Sequence, residues 1–155
     1  MKIKKDIILK YTLFSSIFLL IDLTTKLFAV YNFQTPFSLI KNLFILRYTE
    51  NIGVAFSIPI PAYISIPLNL ILLSFLLIFA FQELNTKTVT ILSASMIIGG
   101  GLGNILDRML RGYVVDFISI WKYPSFNFAD IFIVIGIFAI IVFYNKMKLS
   151  LTPKK

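Results

Sequence analysis

The chain has 155 residues, of which 58% are apolar and 14% charged, and that ratio cannot clothe a soluble domain in polar surface. The net charge of +8 does not indicate nucleic acid, because the basic residues gather at the ends of apolar segments, where membrane proteins use them for orientation and for contact with anionic lipid. His and Cys are both absent, which removes the commonest general base, the thiolate nucleophile and the best zinc ligands, so an integral membrane protein working with carboxylates, hydroxyls, Lys, Arg and backbone is predicted.

The first apolar segment runs over Leu9–Val30, close to the roughly 20 residues a helix needs to cross hydrocarbon. Its basic start (Lys2, Lys4, Lys5, Lys10) imitates a signal peptide. The run continues past Asp22 and Lys26 with no small-x-small cleavage site, so a retained span is expected. Asp22 and Lys26 are four apart and share a helix face. They are read either as a self-neutralised pair with Lys26 snorkelling outward, or as a group that orders a neighbouring site.

The outer loop, Tyr31 to Ala62, alternates apolar and polar residues and contains several Pro; short β-like strands and an interfacial segment are expected there. Within it, Asn51-Ile-Gly-Val-Ala-Phe56 reads as a turn, with Gly53 supplying an unusual backbone angle.

A second span is predicted over Tyr63–Phe81, then a short turn at Glu83–Lys87, then a third span over Thr88–Leu106. In the third, Ser95, Gly99 and Gly103 recur every four residues as a stripe for close helix packing. That stripe does not account for Asn104, Asp107 and Arg108, which are expected to bond to one another or to a partner, since unpaired charge is costly there. Arg111 reads as an interfacial anchor.

In the next loop, Val114, Asp116 and Ile118 alternate with Val115 and Phe117, as in an extended stretch. The apolar flanks are expected to raise the pKa of Asp116. The fourth span is Phe128–Tyr144, with Asn127 as N-cap and Asp130 in the first turn, where the helix dipole favours negative charge. The whole, residues 1–155, reads as one membrane-embedded domain with four transmembrane helices and no repeats.

Counting basic residues by side gives nine (Lys2, Lys4, Lys5, Lys10, Lys87, Lys146, Lys148, Lys154, Lys155) against four (Lys41, Arg47, Arg111, Lys122). The positive-inside rule then puts both termini and the Glu83–Lys87 turn in the cytoplasm and the two longer loops outside.

Asp116 and Asp130 belong to the same outer interface. Two carboxylates sharing a site cannot easily ionise together, so one keeps a proton while the other stays charged. That is the arrangement for acid–base hydrolysis, in which the charged member activates water and the protonated member polarises a carbonyl. Two other classes remain open at this point. One is a small proton-coupled four-helix transporter, against which stands the gathering of acidic residues at one interface. The other is a serine peptidase with Lys26 as base, for which Ser57, Ser119 and Ser125 offer no activating neighbour.

Five ordered motifs carry a family resemblance: Asp22-x-x-Thr25-Lys26; Asn51-x-Gly53-x-Ala55-Phe56; Gly103-Asn104-x-x-Asp107-Arg108; Gly112-x-Val114-x-Asp116-Phe117; and Asn127-x-Ala129-Asp130. In order, spacing and membrane placement the chain resembles lipoprotein signal peptidase (signal peptidase II), a bacterial membrane aspartic protease. The resemblance implies removal of the signal peptide from prolipoproteins carrying a diacylglyceryl group on the Cys that becomes the new N-terminus. It implies a catalytic dyad at Asp116 and Asp130, with no metal and no organic cofactor. It gives Asp22, Lys26, Asn51, Gly53, Asn104, Asp107, Arg108 and Asn127 roles in shaping the site and substrate cradle, and it implies inhibition by globomycin-type cyclic peptides. The chain departs from the family at Val54, where a small residue is frequent, and in a short stretch between the two aspartates, Phe117 to Ala129.

Overall fold

The computed structural model of the chain describes residues 2–41, 43–53, 61–83 and 88–147. Val54, Ala55, Phe56 and Ser57, residues 84–87 of the expected Glu83–Lys87 turn, and Lys148, Lys154 and Lys155 lie outside the described residues. Four helices, α1 (Lys2–Asn32), α2 (Ala62–Glu83), α3 (Thr88–Arg111) and α4 (Phe128–Met147), alternate with three strands, β1 (Phe37–Ile40), β2 (Phe44–Asn51) and β3 (Val114–Ile120). Among the described residues, two helices are long and apolar enough on their own to cross a membrane, Lys5–Asn32 and Thr88–Arg111. The apolar runs Tyr63–Phe75 and Phe128–Phe143 are shorter.

The central helix is α3, packed against α1, α2 and α4. Its small-residue stripe does what the spacing predicts. A Cβ on Gly99 would come within 2.7 Å of the Ser15 carbonyl oxygen of α1, and the Ser95 hydroxyl bonds to the Tyr11 carbonyl at 3.4 Å. On the other side, Gly100 faces the backbone of Ala129 at the start of α4, where a Cβ would lie 2.6 Å from the carbonyl oxygen. Removing these side chains lets backbones approach, which is the main source of helix association where water is absent.

The small β-like cradle expected in the loop after α1 is a sheet, and it also takes in the loop after α3. The order is β1-β2-β3, all antiparallel, with β2 drawn from the first outer loop and β3 from the second. The alternation at Val114–Ile118 does mark a strand, but all of Val114–Ser119 is buried, so both faces are covered. The reason is that β3 lies between β2 and the ends of α1 and α4. Phe117 and Ile118 pack with Ala29 of α1 and with Phe33, Phe44, Phe126 and Phe128. The segment then doubles back, with Ile118 bridging Phe126, so the short stretch between the two aspartates is a tight hairpin. A register shift between Leu46 and Thr49 puts Thr49 opposite Asp116. Such an extra residue re-aims side chains, and here it does so beside Asp116.

Candidate active site

Asp116 sits in β3, the extended stretch expected there, and is 1% exposed. Each of its oxygens accepts one amide hydrogen bond: Asn51 Nδ2 donates at 2.8 Å and Asn127 Nδ2 at 2.6 Å. Burial pushes the carboxyl up to about 7, and the nearby Asp130 carboxylate pushes the same way, against the two amide donors and the Lys26 charge.

Asp130 opens α4 as expected. The Asn127 side-chain oxygen accepts from the Asp130 backbone N–H at 3.0 Å, and Asp130 reaches back to the Asn127 N–H at 3.3 Å. This reciprocal capping box fixes the first turn. It also ties the two carboxylates to one residue, since Asn127 bonds to Asp116 with its amide group and to Asp130 through its capping oxygen and backbone N–H. The other Asp130 oxygen accepts from Asn104 Nδ2 at 2.9 Å.

Three asparagines thus hold the pair, and each is oriented without ambiguity. Asn104 receives the Lys26 ammonium on its oxygen at 2.8 Å, Asn51 receives the Gly53 N–H at 2.9 Å, and Asn127 receives the Asp130 N–H. Each amide oxygen faces a group that can only donate, so each NH2 must face a carboxylate.

Lys26 lies behind this layer. It does not snorkel: it is 1% exposed, 2.8 Å from Asp22 Oδ2 and 3.1 Å from Asp107 Oδ2. The i,i+4 pair with Asp22 forms, and α3 adds the second carboxylate. Buried charge needs that many partners in that geometry. Asp22 also accepts the Ala129 N–H at 2.8 Å, and Asp107 accepts the Val115 N–H at 3.1 Å. The two carboxylates therefore clamp the segments that carry Asp130 and Asp116. A Cβ on Gly103 would collide with Asp22 Oδ2, so the glycine leaves room for this network. With its ammonium committed to two carboxylates and an amide, Lys26 is not the free base that a serine–lysine mechanism needs. Ser119 and Ser125 instead share a hydrogen bond at 2.7 Å and accept from Arg47.

Two further expectations are corrected. Gly53 does not have a positive φ; among the described glycines only Gly112 does, at 83°. The Gly53 backbone serves by its bonds, donating to Asn51 and accepting from Arg108 Nη2 at 3.0 Å. Arg108 finds partners as expected, though not Asp107. It reaches the Gly53 and Asn104 carbonyls, while Asp107 takes Arg111 Nε at 3.1 Å. Arg111 is thus an ion-pair partner and not a free interfacial anchor.

The two aspartates, Asn51, Asn104 and Arg108 line one cavity of about 560 Å³. Its other wall is apolar, from Ile131, Val134 and Ile135 of α4. Asn127 and Lys26, with Asp22 and Asp107, stand behind the polar wall. One lining residue escapes the sequence reading: Asn69 of α2. The signal was there, an amide in the middle of an apolar helix.

Residues 14–146 match the family model described as signal peptidase (SPase) II. A lipoprotein signal peptidase of Halothermothrix orenii is 40% identical over 131 residues, 83% of this chain and 89% of that protein. One of Wigglesworthia glossinidia brevipalpis is 39% identical over 154 residues, 94% of this chain and 95% of that protein. A solved bacterial membrane enzyme structure, obtained by the in meso method at 2.3 Å resolution, superposes with a TM-score of 0.78 at 26% identity, covering 94% of this chain and 92% of the other.

Proposed function

Because this chain belongs to the signal peptidase II family, we propose that it is an aspartic endopeptidase that removes the signal peptide from diacylglyceryl-modified prolipoproteins, cutting before the lipidated Cys. The observation that carries this reading is the pair Asp116 and Asp130, lining one cavity and joined through Asn127. Asp116, with its raised pKa, holds the shared proton; Asp130, at the head of α4, carries the charge. Asp130 takes a proton from water as its oxygen attacks the scissile carbonyl, and Asp116 gives its proton to the carbonyl oxygen. Collapse of the tetrahedral intermediate breaks the C–N bond, and the leaving nitrogen receives a proton from the pair. No step calls on a metal.

The same reading makes the chain one membrane-embedded domain of a bacterial inner membrane. All four helices span, both termini are cytoplasmic, and the dyad lies near the outer face. Exposed Ile71, Leu72 and Phe75 on α2, and Val134, Phe138 and Ile141 on α4, support lipid contact for the two shorter apolar helices. The apolar wall of the cavity supports an acylated ligand there, and a globomycin-type cyclic peptide would compete for the same polar wall.

The test is cleavage of a diacylglyceryl prolipoprotein by purified protein. Asp116→Asn and Asp130→Asn are each expected to lower turnover on the order of 10³-fold while the fold is kept. The double variant should be little worse than either single, because the two act as one unit. Substantial turnover by either single variant would remove the dyad.

A further inference from the structure

Asn69 is not explained by the dyad or by packing. It lies seven residues beyond Ala62 at the start of α2, about 10 Å along the helix axis. Its Nδ2 donates to the Ser65 carbonyl at 2.8 Å. A backbone carbonyl can only accept, so the NH2 group must face Ser65 and the side-chain oxygen must face away. Among the described residues, no donor reaches that oxygen. It belongs to the wall of the cavity that holds Asp116 and Asp130, in a helix rich in Leu, Ile and Phe. The bond to Ser65 does not repair the helix either. Pro67 lacks an N–H and so orphans the carbonyl of residue 63, not that of Ser65.

A peptide bond can be cut only where the backbone has left the helical state, since a helical carbonyl is already bonded. Along the apolar wall of the cavity, the unwound segment carries N–H groups for which the α4 side chains Ile131, Val134 and Ile135 offer no acceptor. Each one left without a partner is costly. The polar groups around the dyad serve the scissile bond itself. On the α2 side, Asn69 offers the acceptor.

We propose that Asn69 binds substrate, its side-chain oxygen accepting a hydrogen bond from a backbone N–H of the unwound signal-peptide segment on the side of the cut that is removed. This inference rests on the signal peptidase reading of the site. It makes Asn69 a reader of backbone conformation, indifferent to the identity of the substrate side chains.

The experiment uses the full chain and a diacylglyceryl prolipoprotein peptide in which signal-side amides are replaced one at a time by esters. An ester keeps the shape and removes the N–H. In the wild type, one ester position is expected to lower kcat/KM about tenfold, the loss of one hydrogen bond in a dry site. Asn69→Leu should be about tenfold slower on the all-amide peptide and lose nothing further at that position. Asn69→Gln, with an acceptor on a longer arm, should restore part of the sensitivity. If Asn69→Leu does not fold, Asn69→Ala enters the same comparison. The inference is overturned if every ester peptide loses the same factor with wild type and variant, or if Asn69→Leu matches the wild type. Failure of the wild type to cut the all-amide peptide would instead reject the proposed function, so the two failures are distinct.

Discussion

Asn127 joins three tasks in one side chain: it caps α4, places Asp130 and donates to Asp116. The pH dependence of cleavage follows from the partners of Asp116. Below about 7 its carboxyl keeps the proton that polarises the substrate carbonyl; above that it ionises and the proton is lost. On the proposed mechanism, kcat/KM should therefore fall about tenfold per pH unit above that point. Asn51 lowers the Asp116 pKa by donating to its charged form, so Asn51→Ala should move this descending limb to higher pH. A pH–rate profile of both proteins checks it, and a limb that stays put or moves down would take Asp116 out of the proton role. The carboxylates themselves were legible in the sequence, because acidic residues beside apolar segments need a reason. Of the two readings of Lys26, the outward-reaching side chain fails and the group that orders a neighbouring site stands, and local spacing, which sees only its own helix, could not choose between them. The second carboxylate of Lys26 is 81 residues away, and only the packing of α1 on α3 brings Asp107 to it.

The helices were legible as apolar runs, but α3 continues to Arg111, five residues past the end of its apolar run at Leu106. Hydropathy ends where Asn104, Asp107 and Arg108 begin, whereas the backbone stays helical because their polar groups find partners inside the protein. The sheet was only half legible. Alternation marked β3, but the pairing of two loops separated by two helices leaves no local signal. Along α3, neighbouring glycines should respond in opposite ways. Gly103→Ala drives a Cβ into Asp22 and should cost about 1–3 kcal/mol, with loss of activity as the Lys26 network shifts. At Gly101 the nearest atom to an added Cβ is a Leu73 methyl at 3.5 Å. Gly101→Ala should be neutral or stabilising by about 0.5–1 kcal/mol from helix propensity. Thermal unfolding in one detergent, with cleavage rates alongside, separates the two, and equal destabilisation would mean that α3 has no such asymmetry.

For the molecule as a whole, the cavity has a polar wall from β2, α3, β3 and the first turn of α4 and an apolar wall from the following turns of α4, so a ligand must bring both characters to the same depth. A diacylglyceryl prolipoprotein, the substrate proposed above, does so. Each buried CH2 is worth about 0.8 kcal/mol, and two chains hold the peptide at a fixed height. An unlipidated prolipoprotein peptide should accordingly be cut about a hundredfold more slowly or worse in the same bilayer, and equal rates would defeat the lipoprotein assignment while leaving an aspartic protease. The ion pairs carry a further consequence, for how the chain is made. Asp22 with Lys26 on α1, and Asp107 with Arg111 on α3, are both one turn apart within a single helix. Each of the two longest apolar helices therefore brings its own counter-ion when it leaves the insertion machinery, and neither delivers a bare Asp22 or Asp107 charge to lipid while it waits for the other. Only when α3 docks on α1 does Lys26 take Asp107 as well, so the charges that later hold the site are insertion ballast first and architecture second.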